Sequence, residues 1–184
     1  RVDLFSPEIT PRTPAVVTAP RVLTRASPSP APLSGPLRVQ AQAHARTAAY
    51  LKHAAIFDLI RARRQAMQAG FDDALFTDAD GLISEGALWN IGFATGETVV
   101  WPQAPMLAGV TQALLAQGLA QAGVAQEIRP VRLADLGGFD AAFLCNSATP
   151  ACAIAAIGEA RFDPALAPVE RLTALWDAAP LQPI

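Results

Sequence analysis

The strongest periodicity in the chain is helical. Ile56, Leu59, Ile60, Arg63 and Met67 share one face, Arg61 and Arg64 lie off it, and Gly70 stands where a left-handed C-cap is wanted, which predicts a helix from Lys52 to Gly70. A second helix is predicted from Gly109-Val110-Thr111 through Leu114, Leu115, Leu119 and Ala122 to a capping Gly123. A third, amphipathic, is predicted over about Pro168–Ala178 with Leu172, Leu175 and Trp176 on it. Elsewhere the pattern is that of strands. Residues 37–43 alternate apolar and polar, and Ala74–Thr77 and Leu82–Ser84 flank the turn Asp78-Ala79-Asp80-Gly81 as a hairpin. Further strands are predicted at Ile91–Phe93, Thr98–Trp101, Ala141–Cys145 and Ala153–Ile157, with a short turn or helix at Arg132–Leu136. Helices and strands mix without strict βαβ alternation, so the class is α+β.

The first residues are different. Eight of the 16 prolines fall within residues 1–36, which reads as an extended connector that cannot donate a regular ladder. Val16-Val17 and Arg21–Thr24 are short enough and apolar enough to be strand fragments, and Arg1–Phe5 is an extended apolar segment that suggests a part lying upstream.

Composition narrows the function classes. With 184 residues, 52% hydrophobic and 16% charged, the chain folds as one domain or slightly more. Lys+Arg 14 against Asp+Glu 16, spread along the sequence, gives no electrostatic footprint for nucleic acid and points to small-molecule partners. No run approaches the roughly 18–20 apolar residues of a membrane span, and the N-terminus shows no basic region followed by an apolar signal core. Cys145 and Cys152 form neither a CxxC nor a zinc spacing, so a reducing cytoplasm and no metal site are expected; Asp72-Asp73 and Asp78/Asp80 resemble turn residues rather than ligands.

One count changes the picture. Among 14 basic residues 13 are Arg and one is Lys, Lys52, in a chain that also holds 39 Ala. A guanidinium is always protonated, whereas a lysine amine can lose its proton and attack a carbonyl. Lys52 is therefore either a surface lysine that survived a lysine-poor composition or an amine kept for chemistry that arginine cannot perform.

Tyr50-Leu51-Lys52-His53, the run Asp73–Gly86 with its Ser84-Glu85-Gly86, Asn90, Met106–Thr111 and Asn146-Ser147-Ala148-Thr149-Pro150 recur in this order in one family. Over about residues 1–160 the chain resembles the class IV pyridoxal-phosphate aminotransferases, which include branched-chain and D-amino-acid aminotransferases and aminodeoxychorismate lyase. The resemblance implies an α+β fold, a mixed sheet or pseudo-barrel with flanking helices. It implies residues 1–36 as a remnant strand and Pro-rich interdomain linker, residues 37–184 as the large domain that binds pyridoxal 5'-phosphate, and a small N-terminal domain largely absent from this chain.

The same resemblance implies the site. Lys52 forms the internal aldimine with the cofactor and carries protons between the substrate α-carbon and the cofactor. Glu85 pairs with the pyridine nitrogen and keeps it protonated. Gly109, Val110 and Thr111 hold the phosphate at a helix N-terminus, an arrangement that elementary electrostatics favours; without the family, a Gly followed by Thr is equally a plain helix cap. Ser147, Ala148 and Thr149 form a second small-residue loop facing phosphate and substrate carboxylate, and Leu107 packs against the ring. Departures from the family pattern are Ala55 for an asparagine, Phe57 at an aromatic position where a hydroxyl is expected, and Gln112 where the family has arginine. The absent small domain would supply a phosphate-binding arginine and part of the substrate pocket.

Amino transfer from an amino acid to a 2-oxo acid is the expected activity, in a homodimer with Arg61, Arg63 and Arg64 either solvated or in the subunit contact. A lyase on the same scaffold and a non-catalytic homologue whose Pro-rich segment binds partners are the alternatives. His53 is expected to be a polar contact at a helix start, and Trp89, Trp101 and Trp176 to be core or interface aromatics.

Overall fold

The computed structural model describes residues 1–180, so the last four residues of the expected 37–184 domain lie outside the described part. The chain divides into two compact units, Arg1–Ala31 and the residues from Pro32 onward.

In the first unit β1 (Val2–Phe5) and β2 (Arg21–Thr24) pair antiparallel, with Val2 opposite Thr24 and Phe5 opposite Arg21. Asp3 lies between Arg1 and Arg25 at 2.8 and 3.4 Å, which holds its carboxyl below the usual range, Arg1 contributing most. Val16-Val17 forms no strand: Val16 donates its N–H back to Thr13 in a turn and Val17 is fully exposed, between Pro14 and Pro20.

The second unit is built on a mixed sheet. Its strands are β3 (Leu37–Ala43), β4 (Asp73–Thr77), β5 (Ile83–Gly86), β6 (Asn90–Thr95), β7 (Thr98–Pro102), β8 (Gln126–Arg129), β9 (Ala141–Asn146), β10 (Thr149–Ile157) and the two-residue β11 (Ala160–Arg161). They are ordered β5-β4-β3-β10-β9-β6-β7-β8, with β11 on β10. Three pairs are parallel: β3–β10, and two joined by a helix, α1 (Phe57–Gln68) between β3 and β4 and α2 (Val110–Gln121) between β7 and β8. A third helix, α3 (Val169–Asp177), follows the sheet.

Alternation of side chains across the strands makes two faces. Val39, Leu75, Val100, Ala142 and Leu144 enter one core, and their neighbours Ala74, Phe76, Val99, Trp101, Phe143 and Cys145 turn to the other side. The first core includes Ile83 from one end of the sheet and Val100 from near the other, which requires the sheet to curl. The curl is nearly closed by the Ile83 N–H, which donates to the Val131 carbonyl at 2.8 Å just beyond β8. The outer face is covered in two places. Leu115, Leu119 and Leu172 of α2 and α3 pack on Trp101 and Phe143, while Leu59, Ala62 and Ala66 of α1 pack on Ala74 and Phe76.

The hairpin β4–β5 forms across residues 78–82, with Gly81 at φ 76° and the Asp78 carboxylate accepting the Asp80 and Leu82 N–H groups. Gly70 and Gly123 end their helices at φ 83° and 71°, a backbone region in which a side chain is strained. The short element expected at Arg132–Leu136 is a 3-10 turn at Leu133–Gly138.

Three expectations need correction. The first helix begins at Phe57, not Lys52, because residues 51–56 are irregular, with the His53 and Ile56 N–H groups spent on the Leu51 and Ala54 carbonyls two residues back. Its buried face is Leu59, Ala62 and Ala66, and Ile56, Ile60 and Met67 are exposed. Small alanines let the helix backbone lie close on Ala74 and Phe76, and that contact outweighs the larger side chains on the other side. Asp73 is no turn residue either. It is buried at the start of β4, where it accepts the Trp89 indole N–H at 3.1 Å and lies 3.5 Å from Arg63, which therefore turns inward from the expected solvated face.

Candidate active site

Glu85 sits in β5 with its carboxylate almost fully buried. Its Oε1 accepts from Arg46 Nη1 at 3.0 Å and its Oε2 from the Leu107 backbone N–H at 3.3 Å. Burial raises the pKa above the ordinary carboxylate value; the Arg46 guanidinium, the Leu107 N–H and the charge of Lys52 oppose the rise without cancelling it. A carboxylate offers about four acceptor positions, and two are used, so Glu85 can still receive a further N–H donor.

The Leu107 segment is fastened from a second side. Asn90, at the start of β6, donates from Nδ2 to the Leu107 carbonyl at 2.9 Å, and its Oδ1 lies where a Cβ on Gly109 would be. Gly109 is thus required by packing, at φ −68°, a conformation any residue adopts. It is the N-cap of α2, and no side chain caps the helix, so the first-turn N–H groups are free of side-chain partners. Val110 is exposed, Thr111 is buried, and the Gln112 Oε1 is buried without a partner.

The loop at 146–149 joins the same end of the sheet. Asn90 stands opposite Cys145, and Asn146 donates from Nδ2 to the Leu88 carbonyl at 3.3 Å in the β5–β6 connection. Asn146 Oδ1 accepts the Ala148 and Thr149 N–H groups at 2.9 and 2.8 Å, shaping the turn. Ser147 is exposed, Ala148 half-buried and Thr149 buried; the Thr149 hydroxyl oxygen accepts the Leu33 N–H at 2.8 Å and keeps its own proton to donate.

Lys52 is exposed, on irregular backbone ahead of α1, and its charge acts on Glu85. The backbone beside it is held by Arg46, whose Nη2 donates to the carbonyl of Leu51 at 3.3 Å. His53 makes a polar contact with the Thr47 carbonyl at 3.1 Å, and its Nδ1 is buried without a partner. Glu85, Leu107, Asn90 and Gly109 are thus linked by direct contacts, the 146–149 turn joins them through Leu88 and the pairing of β9 with β6, and the segment of Lys52 is tied in at Leu51 by Arg46. Arg46 and Asn90 are the residues sequence reasoning missed as participants. Arg46 carried no signal in a chain with 13 arginines, whereas Asn90 stood among the matched motifs without a role.

A separate cleft of about 980 Å³ lies elsewhere, lined by Gly35, Glu97, Asp140, Cys152, Glu170 and Arg171 among others, and none of the expected site residues borders it. Site chemistry, not cavity size, therefore selects the candidate. Among the described residues no three His, Cys, Asp or Glu side chains are grouped to hold a metal ion, and no helix is long and apolar enough to cross a membrane.

Residues 8–157 match the family model of amino-transferase class IV, so the chain belongs to that family. The family uses pyridoxal 5'-phosphate. Among solved structures, it is similar to a putative 4-amino-4-deoxychorismate lyase from Legionella pneumophila, 21% identical over 86% of this chain and 59% of that one, with a TM-score of 0.73. An aminotransferase from Brucella abortus bound to PLP is 24% identical over 83% of this chain and 56% of that one, at 0.70. The apo form of a hypothetical aminotransferase from Mycobacterium tuberculosis is 24% identical over 88% and 63%, at 0.76. The likeness is one of fold, and the chain spans little more than half the length of these proteins. No curated protein matches.

The residues present fit the cofactor. A buried carboxylate with spare acceptor capacity suits a protonated ring nitrogen, and the uncapped N-terminus of α2, opened by a glycine whose Cβ has no room, suits a phosphate.

Proposed function

We propose that the chain carries the cofactor half of an enzyme that transfers an amino group from an amino acid to a 2-oxo acid. One observation carries the reading: Arg46 ties the buried glutamate to the backbone of Leu51, next to the chain's single lysine, and the same glutamate is tied by Leu107 and Asn90 to the mouth of α2. When bound, pyridoxal phosphate supplies an aldehyde for amines and a ring that takes up the electron pair left at a substrate α-carbon.

The chain's own groups do the rest. Lys52 Nζ would be the amine that holds the cofactor, and as a free amine it would move the proton at the substrate α-carbon. Glu85 holds a proton at the ring nitrogen. The N–H groups of Gly109, Val110 and Thr111, aided by the helix dipole, bind the phosphate, and the Ser147-Ala148-Thr149 turn adds donors beside it. Leu107 packs on the ring and excludes water. A homodimer in the cytoplasm, with an amino acid and a 2-oxo acid as substrates, belongs to the same proposal.

The test loads the protein with pyridoxal phosphate and offers amino donors with and without a 2-oxo acid. A new amino acid that appears only when both are present supports the proposal. Pyruvate released from aminodeoxychorismate with no acceptor assigns the lyase reaction to this site, and no turnover in either assay leaves the non-catalytic homologue.

A further inference from the structure

Arg46 is the least explained group in the site. It lies in the irregular segment between β3 and the turn at 47–50, and its side chain is 9% exposed against 7% for Glu85, so the pair is out of water. Its Nη1 donates to Glu85 and its Nη2 to the Leu51 carbonyl, one residue before Lys52, while its Nε is buried and unpartnered. A buried guanidinium keeps its charge, and removing one member of a buried pair leaves the other uncompensated. The fork geometry is needed because the two acceptors belong to different segments, and an ammonium in its place would be a single point of charge.

We propose that Arg46 is a positioning residue of the cofactor site: its two-armed contact orients the Glu85 carboxylate and sets the Leu51–Lys52 segment against it. This rests on the reading of the site as a pyridoxal-phosphate site and extends it to a residue that acts through Glu85 and the Leu51 carbonyl. Glu85 in this apolar setting has its proton loss opposed by burial, and Arg46 is the first of the influences that favour the anion. With Arg46 gone, Glu85 takes up a proton more readily and stops acting as an anionic partner for a ring nitrogen. The segment carrying Lys52 loses its tie at the same time.

The experiment titrates pyridoxal phosphate into wild type, R46M, R46K, E85Q and R46M/E85Q, and follows the absorbance of the bound cofactor against pH. Melting of each protein before loading serves as the control for folding. Positioning predicts that R46M binds at least about tenfold more weakly and that its absorbance titration moves the same way as that of E85Q. It predicts that the double variant is little worse than the poorer single one. R46K, which keeps a charge on Glu85 but cannot span to Leu51, is expected to keep the wild-type titration and bind with intermediate affinity.

Wild-type affinity and titration in R46M overturn the inference and leave the cofactor reading standing. So does a variant that melts earlier but titrates like wild type, because that is a merely structural arginine. If R46M does not fold, R46K decides: unchanged affinity overturns the inference, and weaker binding with an unmoved titration supports it. Failure of the wild-type protein to bind pyridoxal phosphate overturns the underlying reading itself, and this inference with it.

Discussion

Asn90 and Gly109 meet so closely that position 109 has no space for a methyl group, while the Nδ2 of the same asparagine holds the Leu107 carbonyl at 2.9 Å. One side chain therefore sets both the path of the 106–109 segment and the point at which α2 begins. Gly109→Ala is expected to destabilise the protein by about 1–3 kcal/mol through overpacking. Asn90→Ala is expected to do so by about 1–3 kcal/mol through a stranded carbonyl. Because the first clash is with the side chain that the second change removes, the double variant should be less destabilised than the sum, measured by urea unfolding. Strict additivity would show that the two residues do not share this contact.

Asp73 gives a prediction away from the site. Its carboxylate accepts the Trp89 indole N–H and the Ala74 N–H, and Arg63 stands 3.5 Å off. Asp73→Ala leaves these donors buried without an acceptor and is expected to cost about 2–4 kcal/mol. Pyridoxal-phosphate affinity of the folded fraction should be unchanged, since none of these groups contacts Glu85 or α2. Loss of binding with intact melting would contradict this separation.

The pH dependence of stability follows from Glu85, faced by the positive charges of Arg46 and Lys52. Its pKa in the folded protein lies above the ordinary value of 4.5, so the folded state holds this proton more tightly than the unfolded state does. The contribution is fully favourable below the unfolded pKa and is lost as pH rises through the folded one. Cofactor-free wild type should accordingly lose stability relative to Glu85→Gln as pH rises from below 4.5 through the folded pKa. Unfolding curves of the two proteins across that range check the sign, and a wild type that gains stability relative to Glu85→Gln as pH rises contradicts it.

The face of α1 can be tested by paired substitutions. Ala66→Leu should cost about 1–3 kcal/mol by forcing the helix off Ala74 and Phe76, whereas Met67→Gln should change stability by no more than about 0.5 kcal/mol. Thermal melting distinguishes them.

That helix also shows what the sequence did and did not disclose. Strands were legible where alternation was strict, as in Leu37–Ala43, and helix ends were legible where glycine takes a positive φ, as at Gly70 and Gly123. The buried face of α1 was not, because its contact uses Ala62 and Ala66, and alanine carries no contrast in a chain holding 39 of them. β8 escaped for a related reason: Gln126-Glu127-Ile128-Arg129 has one apolar residue, which is exposed, and is a strand only because α2 returns it parallel to β7. At the site, the motif glutamate, lysine and helix mouth were readable as motifs. Arg46 was not, since its meaning lies in a bond across 39 residues to Glu85.

The central claim is that Lys52 Nζ is the amine that takes the cofactor. Lys52 is the only lysine among these 184 residues, so borohydride reduction of the protein loaded with pyridoxal phosphate, followed by peptide mass mapping, has one side-chain amine to find in this sequence. The account predicts one phosphopyridoxyl group, on the peptide containing Lys52. An unmodified Lys52 in protein that has bound the cofactor would contradict it.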